Sequence, residues 1–252
     1  DGDVEISSQR GEVSVTDVKG KVSLGLSRSS ARISQITGDV LIDGRGPVND
    51  VSLDDVKGAV RLNGEFMEGV RLAKIAKTFT FKSSRTDLEV AKLDGDLNLD
   101  SGDLRAANLT GPVRLLTRSK DIRMDGVSGD IRLENQNGSV ELRISKLGSM
   151  QLQNRSADIQ VYLPDKAAFQ FNATARNGEV ESDFSEIKTN SRDEETTAMG
   201  TVGSGGPNVV INNEHGSIQI RKASLALAVP PPSPKPPAPP SSPHEPAEPT
   251  EN

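Results

Sequence analysis

Residues 129–142, with the sequence GDIRLENQNGSVEL, contain the pattern that decides the fold. Two short segments in this stretch, Ile131 to Leu133 and Val140 to Leu142, alternate apolar and polar residues and are separated by a polar turn. Alternation with period two is typical of a β-strand with one buried face, and Gly, Asn and Ser are favoured in turns. The stretch therefore predicts two short strands joined by a tight turn.

The same phrase recurs along most of the chain, for example at residues 2–6, 38–42 and 95–99. Its leading apolar residue returns mostly every nine residues, and two kinds of turn alternate, so the full repeat is about 18 residues. One kind of segment carries an extra apolar residue shortly before its glycine, such as Val18 or Ile36. Each repeat therefore supplies two strands and one further inward side chain.

One such unit cannot bury its apolar side alone, whereas stacked units bury a continuous core. We therefore predict an all-β fold over residues 1–222. It is a single-stranded, right-handed parallel β-helix, or β-solenoid, with rungs of about 18 residues. Three inward groups per rung favour a triangular cross-section over a flatter two-sided coil. Within it, the charged and glycine-rich segment 182–206 is expected to be a polar loop.

The two ends of the chain differ from this pattern. Eleven of the 15 prolines lie in residues 230–252, so we expect residues 223–252 to be a disordered proline-rich tail that acts as a spacer. The chain begins in mid-repeat at Asp1, which predicts that the solenoid is incomplete at its N-terminal side.

Composition excludes several kinds of site. The chain has no cysteine and two histidines, which excludes thiolate metal sites and a multi-histidine metal site within one chain. A net charge of −6 argues against nucleic-acid binding, and a content of 3% aromatic residues disfavours sites that stack sugars or bases on aromatic side chains. We predict no catalytic, cofactor-binding or metal-binding residues. The aspartates Asp94, Asp96 and Asp103 are expected to be solvated turn residues, with a polysaccharide-cleaving pair or a weak calcium site as alternatives.

Four arginines are the candidate site residues. Arg105 and Arg123 are one repeat apart, as are Arg114 and Arg132, and all four lie at outward positions of predicted strands. Stacked like charges are unfavourable unless anions lie between them, so a stripe of these arginines would suit an anionic glycan, a lipid headgroup or an acidic envelope protein. The alternative is that nearby carboxylates neutralise the stripe.

The phrases resemble a bacterial β-strand-repeat family of unknown function that carries the label adhesin. The resemblance rests on the repeated Gly-Asp-Val-x-Ile phrase and on the final segments at residues 203–211 and 213–222, and it covers residues 1–222. It implies a solenoid of stacked strands, often in exported or membrane-anchored proteins, and it brings no catalytic residues.

From these observations we expect a non-catalytic, adhesin-like binding or scaffold module of the cell envelope, periplasmic or extracellular, with a distributed binding face. An anchor in a missing upstream segment would fit this placement. One alternative is a self-assembling solenoid, because strand edges at the ends of a solenoid invite end-to-end association. A second alternative is a polysaccharide-active β-helix enzyme.

Overall fold

The computed structural model describes residues 2–226, and most of them lie in β-strands. The elements are β1 (Val4–Ser8), β2 (Gly11–Val18), β3 (Val22–Leu26), β4 (Ser29–Ile36), β5 (Val40–Gly44), β6 (Val48–Val56), β7 (Val60–Asn63), β8 (Phe66–Ile75), β9 (Phe79–Lys82), β10 (Thr86–Leu99), β11 (Asp103–Ala107), β12 (Leu109–Ser119), β13 (Asp121–Asn137), β14 (Val140–Ser156), β15 (Ile159–Leu163), β16 (Phe169–Arg176), β17 (Val180–Ser182), β18 (Lys188–Arg192), β19 (Glu195–Val202), β20 (Asn208–His215), β21 (Ile218–Lys222) and α1 (Ala223–Ala226). The helix α1 has four residues, and within the described range no helix could span a bilayer.

Parallel pairing between successive coils builds a solenoid. Val4 of β1 pairs with Val22 of β3, which pairs with Val40 of β5, while Val13 of β2 pairs with Ala31 of β4. Side chains that bridge neighbouring coils are separated by 18 to 20 residues along the chain. The predicted all-β solenoid with this repeat length is therefore confirmed.

Each coil contributes to two stacks of strands, which we call the first face and the second face. The first face contains, in spatial order, β1, β3, β5, β7, β9, the start of β10, β12, the ends of β13 and β14, then β20, β16, β19 and β18. The second face contains β2, β4, β6, β8, the end of β10, β11, the starts of β13 and β14, then β15, β21 and β17.

Alternation along each strand places one row of side chains inside and one outside. In β3, for instance, Val22, Leu24 and Leu26 are buried, while the residues between them are half-buried. Buried valines, leucines and isoleucines from successive coils form one continuous core through the stack. Burial of this aliphatic surface is what stabilises units that are too small to fold alone.

A third inward column runs along one corner of the coil. It is formed by the predicted extra apolar residues, which pair from coil to coil: Val18, Ile36, Val56, Ile75 and Leu93. The residue before most of them has a left-handed backbone with φ between 52° and 57°, as at Asp17, Gln35, Asp55 and Lys74. The left-handed residue turns the strand sharply, so that the next side chain points into the core.

The recurrent Gly-Asp phrase is explained by contacts between coils. The Oδ1 atom of Asp39 accepts the backbone N–H of Ala59 in the next coil at 2.8 Å, and Asp3 does the same for Lys21. A Cβ atom on Gly38 would lie 2.3 Å from the carbonyl oxygen of Gly20, so only glycine permits this approach of the two backbones. In the Gly-Asp phrase, the glycine therefore lets neighbouring coils approach closely and the aspartate bonds them together.

The strand β10 runs in the opposite direction to its neighbours. It is antiparallel to β8 and β9 on one side and to β11 and β12 on the other. Two hairpin turns make the reversals: Ser83 Oγ accepts the Thr86 N–H at 3.1 Å, and Asp100 Oδ1 accepts the Asp103 N–H at 2.7 Å. The prediction of uninterrupted parallel winding was wrong here, because two-residue alternation is the same for a strand read in either direction.

The final coil lies between two coils that precede it in the chain. The strand β20 is parallel to β14 on one side and to β16 on the other, and β21 is parallel to β15 and to β17. Residues 208–222 therefore separate two coils that are consecutive in sequence. No feature of the repeat pattern predicts this order.

The expected polar loop at residues 182–206 contains a β-hairpin instead. Its strands β18 and β19 pair with each other, and β19 also pairs with β16 at the end of the first face. The prediction failed because the strand β18 is exposed throughout and so lacks apolar alternation. At the C-terminal side, residues 223–226 form α1 rather than the start of a tail, and the tail predicted for residues 227–252 lies outside the described residues.

Candidate functional site

The four predicted arginines lie on two faces rather than in one stripe. Arg105 pairs in register with Arg123 on the second face, and Arg114 pairs with Arg132 on the first face. The predicted stacking of each pair is therefore confirmed, but a single stripe of four was wrong. Residues nine apart occupy opposite strands of a coil, so they cannot share a face.

Carboxylates neutralise three of these four arginines. Arg105 lies 3.1 Å from Asp103, Arg123 lies 3.5 Å from Glu141, and Arg132 lies 2.9 Å from Glu134. Arg114 makes no ion pair within residues 2–226. The second face therefore matches the alternative interpretation, in which nearby carboxylates neutralise the arginines.

The second face carries a longer column of paired arginines. Arg32 and Arg71 occupy the same outward column as Arg105 and Arg123. They too have carboxylate partners, since Arg32 lies 2.7 Å from Glu12 and Arg71 lies 3.1 Å from Asp50. A shallow depression of about 460 Å³ lies over this column between β6 and β13. The arginines in this depression already have carboxylate partners, so little positive charge is left to attract an anion.

A larger groove of about 850 Å³ runs along the edge of the first face. Side chains of β10, β12, β13, β14, β20, β16 and β19 line it. Neighbouring strands place six exposed residues side by side along it: Arg118, Gln136, Arg155, Glu214, Arg176 and Glu195. At the spacing of β-strands, this row is about 25 Å long.

The floor of the groove is a column of buried polar side chains. Asn135, Asn154 and Asn213 stack in register. Each donates its amide N–H to turn carbonyls, and Asn154 reaches the carbonyls of Ser156 at 2.9 Å and Ala157 at 3.1 Å. These bonds tie each turn to its strand, while the Oδ1 atom of each asparagine is buried without a hydrogen-bond partner in the described part of the chain.

Positive charge is left over at one end of the groove. Arg155 lies 3.6 Å from Glu214 and Arg176 lies 3.4 Å from Glu195, whereas neither Arg85 nor Arg118 makes an ion pair in the described part of the chain. These two arginines are adjacent, because the Arg118 N–H donates to the Arg85 carbonyl at 3.2 Å. Asp87 also lines this end and lies 3.8 Å from Lys82, so the β10–β12 end of the groove keeps two arginines without a carboxylate partner among the described residues.

A buried lysine lies near this end of the groove. The Lys120 ammonium is largely buried and donates to the carbonyl oxygen of Asp100. Burial lowers the pKa of Lys120, and the carboxylates of Asp100 and Asp103 oppose that shift. Lys120 thus has its own partners inside the protein.

The acidic residues singled out in the sequence do not assemble into a site. Asp94 lies 2.7 Å from Lys92, and Asp103 is paired with Arg105. Within residues 2–226 no group of three or more His, Asp or Glu side chains is arranged to hold a metal ion. His215 lies at the end of β20, where its Nδ1 is 3.2 Å from Asn177 Nδ2.

Sequence reasoning missed the groove. Arg118 and Arg155 lie two repeats apart in segments that the sequence predicts to be polar turns and that the structure places in β12 and β14, and that spacing is the one signal that could have marked them. Arg85 and Arg118 are not one repeat apart, because β10 is reversed and only the hairpin brings them together. A search for periodic columns therefore could not pair them.

The comparisons with known proteins agree with this architecture. A family model described as Toastrack DUF4097 matches residues 1–221. The chain belongs to the Toastrack DUF4097 family. No curated protein and no solved structure matches it. The expected β-repeat family of unknown function is thereby supported, while the label adhesin stays a prediction for this Toastrack chain.

Proposed function

We propose that this Toastrack domain is a non-catalytic binding or scaffold module of the bacterial cell envelope, and that its ligand lies along the groove of the first face. The observation that carries the proposal is the groove itself, which crosses strands from the middle to the end of the stack. Such a site contacts an extended partner through many weak interactions rather than through one deep pocket.

The rigidity of the solenoid supports a binding role. The groove wall consists of strands paired on both sides, and the asparagine column fixes the turns between them. A preformed surface loses little conformational entropy on binding, so modest contacts can give useful affinity. The envelope placement rests on the resemblance to exported β-repeat proteins, and fractionation of cells that produce the full-length protein tests it.

Binding to a panel of soluble linear polysaccharides tests the proposed function. Calorimetry at low salt with polygalacturonate, alginate, dextran and amylose is expected to give saturable binding to at least one polymer. Reducing-end assays on the same mixtures are expected to give no cleavage. Absence of binding to every polymer would contradict the binding role, and cleavage of any of them would favour the enzyme instead.

A self-assembling solenoid is the second candidate, because both ends of the described stack have unpaired edges. The strands β1 and β2 pair on one side only, with β3 and β4, and β18 at the other end pairs only with β19. The two edges differ, since β18 is exposed and antiparallel to its neighbour. Light scattering across a concentration series distinguishes the candidates, because filaments would grow with concentration.

A further inference from the structure

The unpaired arginines of the groove indicate which chemistry its ligand carries. Arg85 and Arg118 lie next to each other and are exposed, and neither has a carboxylate partner among the described residues. Adjacent like charges are unfavourable unless an anion lies between them. A guanidinium binds carboxylate and sulfate groups through two parallel N–H donors, so this pair suits an acidic group.

A third arginine without an ion pair in the described part of the chain, Arg114, lies beside the groove but outside its lining, with Glu89 opposite it on β10. Arg114 lies on the same strand as Arg118, and both are on its outward side, since exposed and less exposed residues alternate along β12. The two residues are four apart in an extended strand, which places them about 13 Å from each other. Within the groove, the arginines without a carboxylate partner are therefore Arg85 and Arg118 among the described residues.

The rest of the groove offers hydrogen-bonding groups. Gln136, Gln153 and Asn212 line it with side-chain amides, and Thr174 adds a hydroxyl. Amide and hydroxyl groups are matched by the hydroxyls of a sugar chain. The paired charges Arg155 with Glu214 and Arg176 with Glu195 are mutually neutralised, so this part suits an uncharged stretch.

Two other classes of polyanion fit less well. A single-stranded polynucleotide is held largely by stacking of its bases on aromatic side chains, and none of the residues that line the groove is aromatic, whereas the hydroxyls of a sugar chain can be held by hydrogen bonds alone. A lipid surface is usually held by exposed apolar side chains beside the basic ones, whereas the apolar side chain in the groove is Leu116 alone. A sugar polymer, whose hydroxyls match the amide groups of the groove, fits better than either.

We propose that the groove binds a linear acidic polysaccharide, with Arg85 and Arg118 holding its carboxylate or sulfate groups. This inference rests on the proposed function and names the ligand class of the same site. The reversed strand β10 is essential to it, because the hairpin after Lys82 brings Arg85 beside Arg118.

Paired substitutions on the two faces test the proposal. The variant Arg85→Gln/Arg118→Gln removes two unpaired charges from the groove, and Arg105→Gln/Arg123→Gln removes two charges from the second face as a matched control. Calorimetry with polygalacturonate at low salt is expected to give an affinity about tenfold weaker for the first variant. The control is expected to stay within about twofold of the wild type.

Each other result has a definite meaning. Equal losses in both variants, or no loss in either, would overturn the assignment of the groove while leaving the proposed binding function intact. Binding to dextran or to polyphosphate but not to polygalacturonate would overturn the acidic polysaccharide as the ligand class. Thermal melts of both variants serve as a folding control, since all four side chains are exposed and near-native stability is expected.

Discussion

The first coils and the last coils of this molecule use the same strand pattern but stack in different orders. From β1 to β8 each strand pairs with the strand one coil later, so partners are about one repeat apart. In the last coils, Gln160 bonds to Gln219 and Asp158 bonds to Ser217, at separations of 59 residues. Local alternation thus permits either order, and contacts across many residues decide which one forms.

The corner chemistry differs between the same two regions. In the first coils, the corner after β3 begins at buried Leu26. The residue that pairs with Leu26 in the next coil is Gly44 of β5. In the later coils the matching positions hold Thr117, Asn135 and Asn154. Buried Leu26 and the hydroxyl bonds of buried Ser29 hold the early corner, whereas amide hydrogen bonds hold the late corner, and the groove occurs beside the amides.

Proline substitutions should separate the two regions most strongly. In Val210→Pro a backbone N–H is lost from β20, which is paired on both sides, and we expect the unfolding free energy to fall by roughly 3 kcal/mol or more. Hydrogen exchange should show lost protection in residues 150–222, with residues 22–75 still protected.

Glu5→Pro is the matched substitution, because Glu5 lies in the same outward column as Val210 but in the edge strand β1. Val4 donates its N–H to the Lys21 carbonyl at 2.8 Å, so the N–H of the next residue points away from β3. We expect Glu5→Pro to be tolerated. Equal losses of unfolding free energy in the two proline variants, or loss of hydrogen-exchange protection over the whole chain, would mean that the final coil does not unfold separately from the first coils.

Removal of one asparagine from the groove floor should have an intermediate effect. Asn154→Ala breaks the amide bonds to the carbonyls of Gly138, Ser156 and Ala157, and we expect a loss of about 1–3 kcal/mol. Chemical denaturation measures it. Asn212→Ala on the half-buried outward side of β20 is the control, with a change within about 0.5 kcal/mol. Similar values for the two variants would mean that the asparagine column does not hold the turns.

Relief of backbone strain at the corner of the early coils should have the smallest effect, and a stabilising one. Lys74 has a φ of 52° ahead of buried Ile75, and a left-handed lysine costs about 1–2 kcal/mol that glycine does not incur. We expect Lys74→Gly to raise the free energy of unfolding by about 1 kcal/mol, once the cost of glycine's greater entropy in the unfolded chain is deducted. Lys77→Gly, at a position without positive φ, should give no gain in the same melt.

The candidate site was only partly predictable. The 18-residue register correctly stacked Arg105 on Arg123 and Arg114 on Arg132. Which of them lack a partner depends on where carboxylates such as Asp103 and Glu134 point, and periodicity carries no information about that. The adjacency of Arg85 and Arg118 arises from a reversal that leaves the apolar pattern unchanged.

From the amino-acid sequence alone it follows that this chain forms short strands with one buried side, that they stack at a repeat of about 18 residues, and that aliphatic side chains make the core. The tertiary structure alone decided the direction of β10, the place of the final coil and the position of the groove. The physical reason is that alternation specifies which side of a strand is buried, whereas strand direction and stacking order are set by hairpin turns and by pairing between distant residues.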